Sequence, residues 1–174
     1  GSVKAWMDGT ELYIGGFGKI IAGNSLTYAF YFGQKIDSIT GLEMLDTSNV
    51  TDMSNMFLYC GSNSQVFTLD LGNNFDTSKV TNMKCMFLHC GSSSTEMTLD
   101  LGDKFDTSNV TATNAMFEEC AASSKVFTLD LGDKFDTSNV TQMQYMFFNC
   151  GNDSPVFTLD LGDNFDTSKV TGMR

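Results

Sequence analysis

Apolar and polar residues alternate through Phe67-Thr68-Leu69-Asp70-Leu71, the period of a strand with one buried face. The block recurs three more times, and the copies test the assignment. One of them holds Glu96 where the others hold Val66, Val126 and Val156, so that column faces solvent with the Thr and Asp columns, and Phe67, Leu69 and Leu71 point inward. A second pattern precedes it. Val50, Met53, Met56 and Phe57 are spaced by three, three and one, which predicts a helical or 3₁₀ return rather than a strand. Asp-Thr-Ser at 46–48, 76–78, 106–108, 136–138 and 166–168 places side-chain acceptors where a turn or helix start needs them. Each unit therefore reads as strand, turn, irregular or helical return, turn.

These halves recur at a fixed period of 30 residues. FDTSKVTNMKCMFLHCG from Phe75 returns at Phe105 and Phe135; an earlier copy starts at Leu45 and a truncated one at Phe165. A 30-residue slab cannot bury its apolar face alone, so the pattern predicts a solenoid in which neighbours stack. The expected fold is leucine-rich-repeat-like, with one short parallel strand per repeat and a β-rich N-terminal cap. The organisation is residues 1–2 as a cloning scar, 3–41 as the cap, and 42–174 as about four repeats plus a partial one. Asp8-Gly9 in WMDGTELYI predicts a hairpin turn within the cap. The chain stops at Arg174 partway through a repeat, as an excised piece of a longer array would, and an open end predicts self-association there.

LDL…FDTSxVTxMxxMFxxC, repeated over about Leu42 to Arg174, resembles the BspA-like leucine-rich-repeat proteins, surface proteins of bacteria and some protozoan parasites. AWMDGTELYIG is similar to the lead-in of such arrays. The resemblance implies a cell-surface or secreted location, adhesion to host or microbial surface proteins, and no catalysis. The chain departs from the pattern in its longer unit, through inserts such as GSNSQ at 61–65, and at Thr113, where other copies carry Met.

A net charge of −11 argues against a reader of phosphate backbones, and no basic amphipathic stretch suits an anionic membrane. Four of the five cysteines, Cys60, Cys90, Cys120 and Cys150, share one column. Stacked side chains with parallel vectors suit a buried, reduced ladder better than disulfides, and a linear column offers no tetrahedral zinc site. Cys85 lies outside the column and is expected as an exposed thiol. The DLGDKFD string from Asp100 to Asp106, echoed at Asp130 and Asp133, sets carboxylates near a glycine turn. Calcium through Asp100, Asp103, Asp130 and Asp133 is therefore one reading, and a solvated acidic face with turn caps is the favoured one.

Catalysis needs unlike groups converging in a cleft, whereas here every Asp, Thr and Ser is one of several near-equivalent copies, and the single His89 is expected to have no repeated or adjacent carboxylate to orient it. Candidate binding residues fall on two surfaces. One is the outward strand face, with Thr68, Thr98, Thr128 and Thr158 beside Asp70, Asp100, Asp130 and Asp160. The other comprises the columns that vary most between copies, where Tyr59, Tyr145 and Phe148 are expected as exposed aromatic anchors. The competing functional reading is a passive spacer or self-assembling surface array, favoured by the near-identity of the repeats.

Overall fold

A computed structural model describes residues 4–16, 18–31 and 33–173. The chain is a β-solenoid of about five coils, with parallel strands about 30 residues apart and almost no helix. Four equivalent strands carry the repeat: β6 (Val66–Asp70), β7 (Glu96–Asp100), β8 (Val126–Asp130) and β9 (Val156–Asp160). In the first three, alternate residues are exposed and buried, with Phe67, Met97, Phe127 and their Leu partners inward. Pairing is parallel and in register, Thr68 opposite Thr98 and Thr128 opposite Thr158. An exact repeat length imposes this register, because a slip of one residue would turn the phenylalanines to solvent. Each strand ends where the Asp carboxylate accepts the N–H of a glycine two residues on, as in Asp70 with Gly72 at 2.8 Å, and that glycine has a left-handed φ of 72°.

The N-terminal segment expected as a cap begins with a hairpin, β1 (Lys4–Asp8) against β2 (Glu11–Gly15). Asp8 pairs with Glu11, so the two loop residues are Gly9 and Thr10 rather than Asp8 and Gly9. The positive φ sits on Gly9, the first central position, as a type II′ turn requires. A first coil then runs through β3 (Ile20–Ile21), which pairs with β5 (Leu45–Asp46), and β4 (Ser38–Thr40), which pairs with β6. The residues assigned to a cloning scar, Gly1 and Ser2, lie outside the described residues, as do Val3, Phe17, Phe32 and Arg174.

The return segment is irregular, and of the helical alternatives only one 3₁₀ turn, Leu42–Met44, forms among the described residues. Successive turns run instead through Met53 to Ser64. The N–H groups of Met56, Leu58, Cys60, Ser62 and Ser64 each bond three residues back. Those of Met53, Asn55, Phe57 and Tyr59 donate to carbonyls of the next coil, at 2.9 to 3.0 Å. Half of the backbone donors thus close turns and half glue coils together, which satisfies the buried backbone without a helix. Asn55 and Tyr59 supply left-handed φ angles of 59° and 61° for this path.

Inside, side chains stack by column. Phe30, Phe57, Phe87, Phe117 and Phe147 form a ring ladder with centroids 5.2 to 5.6 Å apart and planes within 8° of parallel. The Thr of the first four Asp-Thr-Ser copies, Thr47, Thr77, Thr107 and Thr137, is buried and clamps coils. Thr107 Oγ1 donates to the Asp136 carbonyl at 2.8 Å and accepts the Asp136 N–H at 2.7 Å. The Asp beside it closes the local turn, its carboxylate accepting the Ser108 N–H in the Asp106 copy.

Strand pairing is interrupted once in the array, between β7 and β8, which belong to separate sheets. This is where the repeat is least regular. Met97 replaces Phe, and Ala121 replaces the glycine of the other copies. A methyl built on Gly61, Gly91 or Gly151 would fall 2.2, 2.4 or 2.7 Å from the side chain beneath it, and Ala121 holds a left-handed φ of 50°. Ala121→Gly is expected to stabilise the fold by about 1 kcal/mol, seen as a melting midpoint raised by roughly 2–4 °C. A lowered midpoint would mean instead that the Ala121 methyl contributes favourable packing.

Candidate binding surface

The strand face presents its three outward columns as expected. Thr68, Asp70, Thr98, Asp100, Thr128, Asp130, Thr158 and Asp160 are all exposed. The aspartates are nonetheless occupied. One oxygen of each accepts a glycine N–H, from Gly72, Gly102, Gly132 and Gly162, at 2.8 to 2.9 Å. That fixed role accounts for an acidic residue in every copy without any ligand. Asp100, Asp103, Asp130 and Asp133 form no cluster suited to calcium. Among the described residues no group of three or more His, Cys, Asp or Glu side chains is placed to hold a metal ion. Asp106 and Asp136, the remaining acids of those strings, are committed to the Ser108 and Ser138 N–H groups.

The cysteine column is buried, and all five cysteines are free thiols. Cys85, expected to be exposed, is half-buried in the turn edge. Burial first, then the nearby Glu118 charge, pushes its thiol above the ordinary value.

That turn edge holds the variable columns. In each coil a residue with left-handed φ begins a turn whose fourth residue bonds back to it. Asn55 pairs this way with Leu58, Cys85 with Leu88, Ala115 with Glu118 and Tyr145 with Phe148. The rings of Tyr145 and Phe148 meet edge to face, with centroids 5.8 Å apart and exposures of 38% and 49%. Tyr59, the third expected anchor, is not an exposed post: it is half-buried, stacked on His89 at 4.5 Å. His89, expected to lack an adjacent carboxylate, lies 3.0 Å from Glu119, which the 30-residue stacking brings over it, so three variable residues from successive coils form one stack. Burial and the Glu119 charge raise the Glu118 carboxyl above its usual range.

Sequence reasoning missed a second aromatic pair. Tyr28 and Tyr31, 51% and 40% exposed, meet edge to face at 5.2 Å. They occupy the same turn in the first coil: Tyr28 has a φ of 59°, and its N–H donates to the Ser54 carbonyl as that of Asn55 donates to Lys84. Aligning SLTYAFYFG from Ser25 with DMSNMFLYC from Asp52 would have revealed it.

At the other end of the array, Met143, Met146, Phe147, Phe148, Phe165 and Met173 line an apolar depression of about 310 Å³. No described helix is long and apolar enough to cross a membrane.

No curated protein and no solved structure is matched by the chain. A family does match, over residues 24–154 and again over 92–174, which together span the coils and both aromatic pairs. The chain belongs to the family described as Mycoplasma protein of unknown function, DUF285.

Proposed function

We propose that the chain is the binding segment of a BspA-like adhesin, carried at a cell surface or secreted, and that it recognises a protein on a host or microbial surface. One observation carries this reading. Columns that build the solenoid are nearly constant, whereas the turn edge changes from coil to coil and exposes aromatic pairs such as Tyr145 and Phe148. Exposed tyrosine and phenylalanine anchor interfaces, and a rigid scaffold that varies only along one edge suits recognition. Catalysis has no part in the reading, since repeated groups such as the Asp70 and Asp106 carboxylates and the Thr107 hydroxyl serve turns and clamps.

The test is binding of the purified chain to a panel of extracellular-matrix and microbial-surface proteins, with calcium and with a chelator. Saturable binding is expected, equal in both conditions, and weakened at least about tenfold by Phe148→Ala. Loss on Asp100→Lys with Asp130→Lys, and none on Phe148→Ala, would move the site to the strand face. Failure to bind anything would favour the alternative, a spacer or self-assembling array. Sedimentation at rising concentration would detect a self-assembling array.

A further inference from the structure

We infer that the turn edge is a two-anchor site for an extended, basic polypeptide segment, with Tyr28/Tyr31 and Tyr145/Phe148 each holding an apolar side chain and Glu118/Glu119 a lysine or arginine between them. The inference rests on the binding reading above and names the partner of that edge.

Three observations lead to it. First, the two aromatic pairs are the same structural position in the first and last full coils, and they share the edge-to-face geometry. Four coil steps of about 5 Å put them roughly 20 Å apart. An extended chain at about 3.3 Å per residue crosses that distance in about six residues.

Second, the intervening turns are low. Ala115 is buried and Cys85 half-buried, so a trough lies between two raised aromatic pairs. Tyr28 and Tyr145 hold φ angles of 59° and 60°, a conformation that asparagine tolerates far better than tyrosine. The second coil uses Asn55 there, at a φ of 59°. Aromatic rings at two strained positions, where asparagine demonstrably builds the same turn, signal a use other than folding.

Third, the trough is acidic next to one anchor. Glu118 and Glu119 lie one coil before Tyr145, and each repels the other, with His89 the neighbouring base on Glu119. A chain of net charge −11 favours a cationic partner, and an adjacent carboxylate pair favours a cation at that place. An extended basic segment with apolar residues at both ends satisfies all three.

Random 12-residue peptides displayed on phage and selected on the immobilised 174-residue chain test this, with affinities of enriched peptides measured by fluorescence anisotropy. Enriched sequences are expected to carry apolar residues five to seven positions apart with Lys or Arg between them. Tyr28→Asn and Tyr145→Asn should each weaken binding at least about tenfold while leaving the melting temperature unchanged or higher. Glu118→Gln with Glu119→Gln should weaken binding and flatten its dependence on salt. Enriched peptides that lack this spacing, or bind equally to Tyr28→Asn, would overturn the inference while leaving the adhesin reading to the protein panel. Absence of any enrichment, with the panel positive, would overturn the two-anchor site alone; failure of both would overturn both.

Discussion

Phe87→Ala should destabilise the array by about 3–5 kcal/mol, the largest effect expected of any single truncation here. Phe87 is fully buried, with Phe57 at 5.5 Å on one face, Phe117 at 5.2 Å on the other and Phe105 tilted against it. Removing the ring leaves a hole bounded by rigid rings whose positions are fixed by backbone bonds to both neighbouring coils, so little collapse can fill it. In a solenoid, coils contact only their neighbours, and a defect in the middle weakens two interfaces at once. Phe147→Ala is the natural comparison. Its ring is only partly buried and stacks on Phe117 alone within the ladder, so its loss should be less than half as large. Urea unfolding followed at Trp6, which reports on the hairpin, and by circular dichroism, which reports on the whole array, separates the outcomes. Coincident transitions at a lower midpoint would indicate a ladder that couples all coils; split transitions, an array divided at the third coil. A loss below 1 kcal/mol would show that the ring stack is not what holds the coils together.

The strand face was legible because the copies disagree at one position: Glu96 in a column of valines marks which side is wet. The return was harder. A chain of turns closed three residues back has the same three-residue apolar spacing as a 3₁₀ helix, so Val50, Met53 and Met56 cannot distinguish them. What distinguishes them is left-handed backbone at Asn55 and its equivalents, and in a column of Asn, Cys, Ala and Tyr only the asparagine hints at it. The carboxylate caps of Asp-Thr-Ser followed from residue chemistry. The clamp made by the threonine did not, because its partner lies 29 residues ahead in the next coil.

The candidate surface shows a different limit. Variation between copies marks neither exposure nor independence, since Leu58 and Ala115 are buried. Tyr59, His89 and Glu119 vary, yet they stack and pair with one another across coils, so substitution at one is compensated at the next. Tyr28 and Tyr31 escaped notice because the first coil does not keep the 30-residue ruler. Its offset to the next coil is 25 at Ile20 with Leu45, 27 at Ser25 with Asp52, and 30 only at Ser38 with Thr68. Shorter connections around a smaller coil change the spacing while preserving the turn, and a fixed period cannot follow that change.

Alkaline solution should unfold the chain far more steeply than its lysines and tyrosines alone would. Burial pushes the Cys60 thiol up to about 12, and burial with the Cys60 charge raises Cys90 well above its ordinary value. The contact with Cys150, together with burial, does the same for Cys120. In the unfolded chain these thiols ionise near 9, so between pH 9 and 12 the unfolded state holds fewer protons than the folded one, and stability falls as pH rises. Each thiol contributes a slope of about 1.4 kcal/mol per pH unit, or roughly 4 kcal/mol per unit for the three. A domain of about 5–15 kcal/mol would then lose its fold within about one to four units above pH 9. The melting temperature should therefore be level up to about pH 8.5 and drop sharply between 9 and 10, below the midpoints of lysine and tyrosine titration. Cys90→Ala with Cys120→Ala should cut the part of the slope owed to these three thiols to about a third, whatever it does to stability at neutral pH. A melting temperature that stays level to pH 10 would mean that the column thiols ionise in place, and that water reaches a ladder the fold holds dry.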